Sequence, residues 1–435
     1  MGKKVFILFP DGVGLRNFAF TKFKEVGEAQ GFHITYWNNT IFSLEKELGY
    51  KEVVIENTRI HPKTPTLSHA RKRVELALSR KREKDNVYPT YRFPLQYNSI
   101  KKALKSAFVK YHETFSATPK GWQRIMNQMQ AAERSTVRYQ ELKAQLEEHR
   151  PDIVFCTTQR ATQAIAPILA AQDLGIKTAC WIYSWDNLPK GMTTVETDYY
   201  FVWSELMKEQ LLQYYPKTRE EQIFVTGTPQ FEPHYDKDLL LSRKQFCLEH
   251  NLSEETRYVC FSGDDQTTSP LDQYYLEDTA IAVRKLREEG EDVAIVYRKV
   301  PIDFSGRYDE VLANYSDVIT PIDPLWKPMG SQWNQVMPTK EDFALLVNTC
   351  HHCELVVNIC SSMVFDFVAH DKPTIYPNYE QPQLKKGIRD IGQNYKYVHF
   401  RSMPDYDTSV TWAMNKEEIY DGIKGLLNGS LNPVP

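Results

Sequence analysis

The chain has 435 residues, of which 42% are hydrophobic, 25% charged and 12% aromatic, with a formal net charge of −3. That length points to two domains or three, and that composition to a soluble globular protein with ample core. No apolar run approaches the ~18–20 residues that span a bilayer, which excludes a membrane-spanning protein of helical type. The N-terminal run VFILFP is interrupted by Asp11 and Gly12 too early for a signal peptide, so it reads as the first core strand. Seven cysteines, an odd number without framework spacing, fit reduced thiols of a cytoplasmic protein. Cys350-His351-His352-Cys353 has one ligand-like spacing but no second pair to complete a tetrahedral site, and no metal is expected.

In chain order, residues 5–9 predict a strand, 11–30 a glycine-bearing loop opening a helix, and 33–37 the next strand. Gly12 and Gly14 in that loop allow close backbone approach to a ligand. Asn17 stands where the third glycine of a dinucleotide-binding pattern would be, so a nicotinamide or flavin cofactor is not expected.

Residues 59–124 differ sharply from the rest. They hold sixteen Lys/Arg against four Asp/Glu, a net +12 that leaves −15 for the remainder. Ile100, Leu104, Phe108, Tyr111 and Phe115 recur at helical spacing, with Lys101, Lys102, Lys105 and Lys110 beside them. A basic amphipathic helix of this kind suggests a membrane surface or an anionic ligand. The alternative is a helix packed on its own domain with a solvated basic back. No stacking motif accompanies the charge, so nucleic acid is not an expected partner. A polar helical stretch, 123–149, follows.

From residue 152 onward strands and helices alternate as in a parallel sheet. Strands are predicted over 152–156, 177–183, 199–203 and 223–226, with helices over 162–174 and 205–214. Trp185, Asp186 and Asn187 follow the second of these strands, at the end where parallel sheets carry their sites. The segment GTPQFEPHYD, 227–236, marks a domain boundary. Beyond it come helix 242–249, strand 258–262 ending at Gly263, helix 271–289, and strand 293–297 running into Arg298 and Lys299. Helix 340–350, strand 355–359, a helix opening near Ser362, strand 373–376, a basic segment 385–389 and helix 416–427 complete the chain. Ser361 and Ser362 stand where they can cap that short helix, whose N–H groups and dipole suit a phosphate. Asp366 lies one turn on, on the same face. Asp405 and Asp407 have the spacing of a metal-binding DxD motif but follow a loop near the C-terminal end.

Four runs carry a family resemblance: SWDNLPKG (184–191), VWSELMKEQLLQYYP (202–216), VTGTPQFEPHYD (225–236) and VNICSSMVFDFVAHDKPTIY (357–376). Together they resemble bacterial GT-B-fold glycosyltransferases, the UDP-glycosyltransferase-like enzymes of cell-surface glycan pathways. CDP-glycerol glycerophosphotransferases share a related C-terminal half. The resemblance covers most of 151–380. It implies an α/β protein of two Rossmann-like parallel-sheet domains facing across a cleft. Residues 1–229 would be the acceptor domain, with a basic helical insertion over 59–149. Residues 230–415 would hold the nucleotide sugar, and a helix within 416–435 would return to the first domain.

By the same resemblance, Ser361, Ser362 and the following Met363 match the serine turn that contacts the donor diphosphate. Asp366 matches a carboxylate that bonds the ribose. Glu380 and Gln381 resemble an acidic–Gln pair that contacts the donor sugar, and Ser262 with Gly263 the loop under the leaving phosphate. Arg298-Lys299-Val300-Pro301 departs from the His-Pro common in related transferases, yet two cations at a strand end can neutralise a leaving diphosphate without a metal. An inverting transferase also needs a base beside the acceptor hydroxyl. Asp11 is the first candidate and Asp186 the second, although either can instead cap the segment after it.

The expectation is therefore a cytoplasmic, metal-independent glycosyltransferase with no cofactor, using a nucleotide-diphosphate sugar, UDP-linked by preference. A glycan or lipid-linked acceptor would bring it to the inner membrane as a peripheral protein. A CDP-polyol phosphotransferase and a catalytically silent nucleotide- or glycan-binding subunit stay open as alternatives.

Overall fold

Short apolar runs, each followed by a helix, cannot close hairpins and must pair in parallel through crossovers. The computed structural model describes residues 2–329, 336–385, 390–403 and 408–433 and shows that outcome twice. The chain divides into two units, Met1–Pro229 and Gln230–Pro435.

The first unit holds seven strands: β1 (Lys4–Phe9), β2 (His33–Asn38), β3 (Glu52–Val54), β4 (Ile153–Cys156), β5 (Lys177–Trp181), β6 (Tyr199–Val202) and β7 (Ile223–Val225). Their order is β3-β2-β1-β4-β5-β6-β7, with every pair parallel. The chain builds outward from β1 to β3 and then restarts on the other side of β1 at β4. That reversal opens a crevice at the carboxyl ends of β1 and β4. Central strands are apolar on both faces because helices cover both; Ile7, Leu8, Phe9, Val154 and Cys156 are fully buried.

The predicted loop and helix over 11–30 form three short pieces: a 3-10 turn Gly12–Gly14, a helix Leu15–Phe18 and a helix Phe23–Ala29. The Tyr36 hydroxyl donates to the Phe18 carbonyl, and the Thr21 hydroxyl to that of Asn17. Both acceptors are thereby drawn out of a continuous helical ladder.

Between β3 and β4 lie the helices Thr64–Glu83, Ile100–Phe115, Pro119–Arg134 and Val137–His149. Ser99, Thr118 and Thr136 cap the last three, each accepting from the N–H three residues on. Buried Glu113 ties Ile100–Phe115 to its neighbours through Arg73 (3.0 Å) and Arg92 (2.8 Å).

The second unit has strands β8 (Arg257–Ser262), β9 (Val293–Arg298) and β10 (Ile319–Ile322), a small antiparallel pair β11 (Lys327–Pro328) and β12 (Val336–Met337), then β13 (Leu355–Asn358), β14 (Thr374–Pro377) and β15 (Thr411–Ala413). The main sheet runs β10-β9-β8-β13-β14-β15, all parallel, and reverses between β8 and β13. Successive strand residues alternate between its faces. Val259, Phe261, Ile295, Tyr297, Leu355 and Val357 pack with Leu276, Val283 and Leu286 of the helix Asp272–Glu288. Tyr258, Cys260, Val296 and Val356 pack on the other face with Phe246, Leu345, Leu346 and Phe367.

The final helix, Lys416–Leu427, packs within this second unit. Ile419 and Ile423 join the core beside Ile375 and Ala413, and Lys424 pairs with Glu289 at 2.7 Å. Its apolar face is thus already covered. All seven cysteines are free, six of them buried and Cys360 half-buried.

Candidate functional site

Each sheet places its polar residues where its strand order reverses. In the first unit, β1 runs out into Asp11, whose Oδ1 accepts the Val13 N–H at 3.1 Å and so caps the turn Gly12–Gly14. A Cβ on Gly14 would sit 2.3 Å from Thr157 Oγ1, so only glycine lets this turn lie against the end of β4. Thr157–Arg160 continue from β4, and the Arg160 guanidinium stands 5.8 Å from the Tyr183 ring centre. Gln159 bridges β4 and β5: its side chain donates to Asn187 Oδ1 (2.9 Å) and accepts the Tyr183 N–H (3.0 Å). Asn187 in turn donates to Asp186 Oδ1 at 2.6 Å, and Lys190 pairs with Asp186 Oδ2. Trp185 is half-buried in the same loop.

Burial pushes the Asp11 carboxyl up, against the pull of Arg160 and the Val13 N–H. Burial also raises the Tyr183 hydroxyl, which feels Arg160, Arg16, Asp11 and Asp186 together. The two predicted carboxylates therefore share one electrostatic neighbourhood. Sequence reasoning missed Arg160, Tyr183 and Lys190. It also missed Lys72, buried at 3.2 Å from Met192 Sδ, where desolvation and the nearby Arg71 and Lys190 lower its amine to about 7. The signal for Arg160 was available: a cation closing TTQR, at the end of a strand.

In the second unit, register aligns Arg298, Ser262 and Asn358 across β9, β8 and β13. In parallel pairing, residues in register share a face, so these three form one polar row where the apolar row of Val296, Cys260 and Val356 ends. Arg298 is less open than its sequence position implies. Its Nη2 lies 3.0 Å from each carboxylate oxygen of buried Asp342, which also accepts from the Leu325 N–H and the Trp326 indole. Its Nη1 is buried without a hydrogen bond among the described residues. Lys299, next along, is half-buried and makes no ion pair among the described residues. Asn358 is fully buried, and neither atom of its amide has a partner among the described residues.

Gly263 donates its N–H to the Arg298 carbonyl at 2.9 Å; a Cβ there would approach Tyr308 Oη to 3.1 Å. Beyond it, buried Asp272 accepts from the Tyr308 hydroxyl at 2.6 Å, and Arg307 bonds the Asp264 carbonyl. Burial and the neighbouring Asp265 and Asp272 hold the Asp264 carboxyl well above its ordinary range. After β13, Cys360 adopts a left-handed φ of +52°, a conformation uncommon for a side chain other than glycine.

The capping expected of Ser362 is not what forms. Its backbone is helical (φ −67°, ψ −4°) rather than extended, so its hydroxyl cannot reach back to the turn. Ser361 instead accepts the Met363 N–H at 3.3 Å, and Ser362 is exposed. Met363 is buried in the core. Asp366 is buried and its Oδ1 lies 2.9 Å from His234 Nε2, while His234 Nδ1 lies 3.0 Å from His370 Nε2. Gln381 donates to Asp278 at 2.7 Å on the helix Asp272–Glu288, whereas Glu380 is exposed. The structure thus groups Ser262, Gly263, Arg298, Lys299 and Ser361 near Asn358, with Asp366 and Gln381 engaged elsewhere. Residues 386–389 of the basic segment, and Asp405 with Asp407, lie outside the described residues. Among the described residues no cluster of three or more His, Cys, Asp or Glu is arranged to hold a metal ion.

No protein-family model matches this chain, and no curated protein sequence matches it. Solved structures do. A protein described as a UDP-N-acetylglucosamine 2-epimerase, from Listeria monocytogenes, superposes with a TM-score of 0.55 at 15% identity, over 100% of this chain and 90% of that one. UDP-GlcNAc 2-epimerase from Neisseria meningitidis, bound to UDP-GlcNAc, gives 0.55 at 10% identity, over 99% and 93%. A glycosyltransferase from Rickettsia africae gives 0.50 at 12% identity, over 100% and 91%. The class defined by this likeness is the two-domain α/β fold of GT-B type, built on two parallel sheets.

Proposed function

We propose that the chain is a glycosyltransferase that moves a sugar from a nucleotide-diphosphate donor, UDP-linked by preference, to a hydroxyl of a cell-surface glycan acceptor. The observation that carries this reading is the row Arg298–Ser262–Asn358 at the reversal of the second sheet, with its unbonded Asn358 amide. A buried polar group left without a partner costs about 1–3 kcal/mol, and such costs persist where a ligand completes the bonding. UDP-GlcNAc bound to a fold neighbour supports a sugar nucleotide as that ligand.

On this reading Lys299, the Nη1 edge of Arg298 and the hydroxyls of Ser361 and Ser362 meet the diphosphate. The acceptor oxygen attacks the sugar C1 while its proton passes to Asp11. The C1–O bond breaks, and the nucleotide diphosphate leaves with the electron pair. A half-buried carboxyl held above its ordinary range lies closer to the working pH, as a general base should. Asp186, committed to Lys190 and Asn187, shapes the acceptor loop.

The run SSMVFDF, 361–367, equally suits a CDP-polyol phosphotransferase. Incubation of the chain with UDP-, GDP- and CDP-linked donors, with and without glycan acceptors, separates the readings by product. UDP or GDP release that depends on acceptor supports sugar transfer. CMP release supports the phosphotransferase, a C2-epimerised donor without acceptor supports an epimerase, and binding without turnover a silent subunit; each of these three overturns the proposal.

A further inference from the structure

The helix Ile100–Phe115 is amphipathic in the inverted sense. Its packed face is Ser106, Val109 and Glu113, with Ala103 half-buried beside them, and is anchored by the ion pairs of Glu113 with Arg73 and Arg92. Its large apolar side chains, Ile100, Leu104, Phe108, Tyr111 and Phe115, are 38–83% exposed. At about 100° per residue these five fall within roughly 80° of one another, on the side opposite the packed face. Tyr97 and Phe93, just before the helix, are exposed as well. Contiguous exposed apolar surface of this size marks an interaction site.

Charge identifies what covers it. Lys101 and Lys105 flank the stripe on one side and Lys110 on the other, all exposed. On the Lys110 side, between this helix and Thr64–Glu83, lies a cavity of about 510 Å³ lined by Arg80, Lys81, Lys84, Arg92 and Lys110 around Glu113. Five cations against one buried, already paired carboxylate leave that cavity strongly positive. Aliphatic and aromatic side chains ringed by lysines match the acyl–headgroup boundary of an anionic bilayer. No helix among the described residues is long and apolar enough to cross a membrane. We propose that this surface docks the chain on an anionic bilayer, with the stripe entering the acyl boundary and the basic cavity receiving a lipid phosphate. The inference goes beyond sugar transfer, since it holds whatever the chain's chemistry.

Co-sedimentation of the full chain with phosphatidylcholine vesicles, with and without phosphatidylglycerol, tests it. Binding is expected only with phosphatidylglycerol, and it weakens as salt rises. Leu104→Glu with Phe115→Glu, and separately Lys101→Glu with Lys105→Glu, each lower the partition at least about tenfold at unchanged melting temperature. Arg80→Glu with Lys81→Glu removes the preference for phosphatidylglycerol. Nucleotide binding in solution stays unchanged in all three, which separates this test from that of the donor site. Binding that ignores salt and these charges, or no vesicle binding, overturns the proposal. So does a concentration-dependent dimer abolished by Leu104→Glu, which would make a second copy the occupant. Equal competition by inorganic phosphate would assign the cavity to a soluble anion and overturn its part.

Discussion

Asp11 combines two roles that a single substitution can separate. Asparagine keeps an oxygen for the Val13 N–H, so Asp11→Asn preserves the cap while removing the base. Turnover should fall ~10²–10⁴-fold with nucleotide affinity nearly intact. Unchanged turnover in steady-state assays would remove Asp11 from the chemistry. Asn358 makes the opposite kind of test. Leucine fits the volume and leaves no unbonded amide, so Asn358→Leu should stabilise the ligand-free chain by about 1–3 kcal/mol. If the amide serves a ligand, the same variant binds nucleotide more weakly. Calorimetric melting and titration on one preparation check both signs, and a variant both less stable and equally competent would refute the argument.

Among elements, the turn Gly12–Gly14 is the most tightly specified. Gly14→Ala forces a methyl into Thr157, at the end of β4, and should cost about 1–3 kcal/mol as overpacking does. Denaturant unfolding measures it; a loss well below that range would mean that β4 yields. The central strands were legible because their apolar runs are buried on both faces. Of the missed strands, β3, β10 and β15 are edges of the two main sheets, and the short β11 and β12 pair only with each other. An edge needs only one apolar face, and β10 carries Pro321, tolerated there because one side makes no ladder. The site was legible only in outline. Residue type and strand ends pointed to Asp11, Asp186, Ser262 and Arg298. Partnership was invisible: nothing in the chain order of Arg298 and Asp342, or of His234 and Asp366, foretells that they meet.

For the molecule as a whole, acid is the revealing variable. Burial lowers His352 and His370 from 6.5 to about 4. Between those values the unfolded chain takes up protons that the folded chain refuses, so stability is full above about 6.5, falls as pH drops from there to about 4, and levels off below. Both histidines belong to the second unit, which should therefore lose stability first on acidification. His352→Gln retains a donor for the Leu241 carbonyl and should flatten the dependence of melting temperature on pH. An unchanged slope would place the acid sensitivity elsewhere.

The sheltered thiols give that unfolding an internal clock. Cys156 and Cys180 lie in the first unit, and Cys247, Cys260, Cys350, Cys353 and Cys360 in the second. Burial keeps Cys180, Cys353 and half-buried Cys360 protonated, so alkylating reagents find little thiolate in the native chain. Each cysteine becomes reactive only when its own unit opens. Mass-resolved alkylation under mild acid would then show the five second-unit cysteines modified together, ahead of the other pair, turning seven inert side chains into a map of which half lets go first.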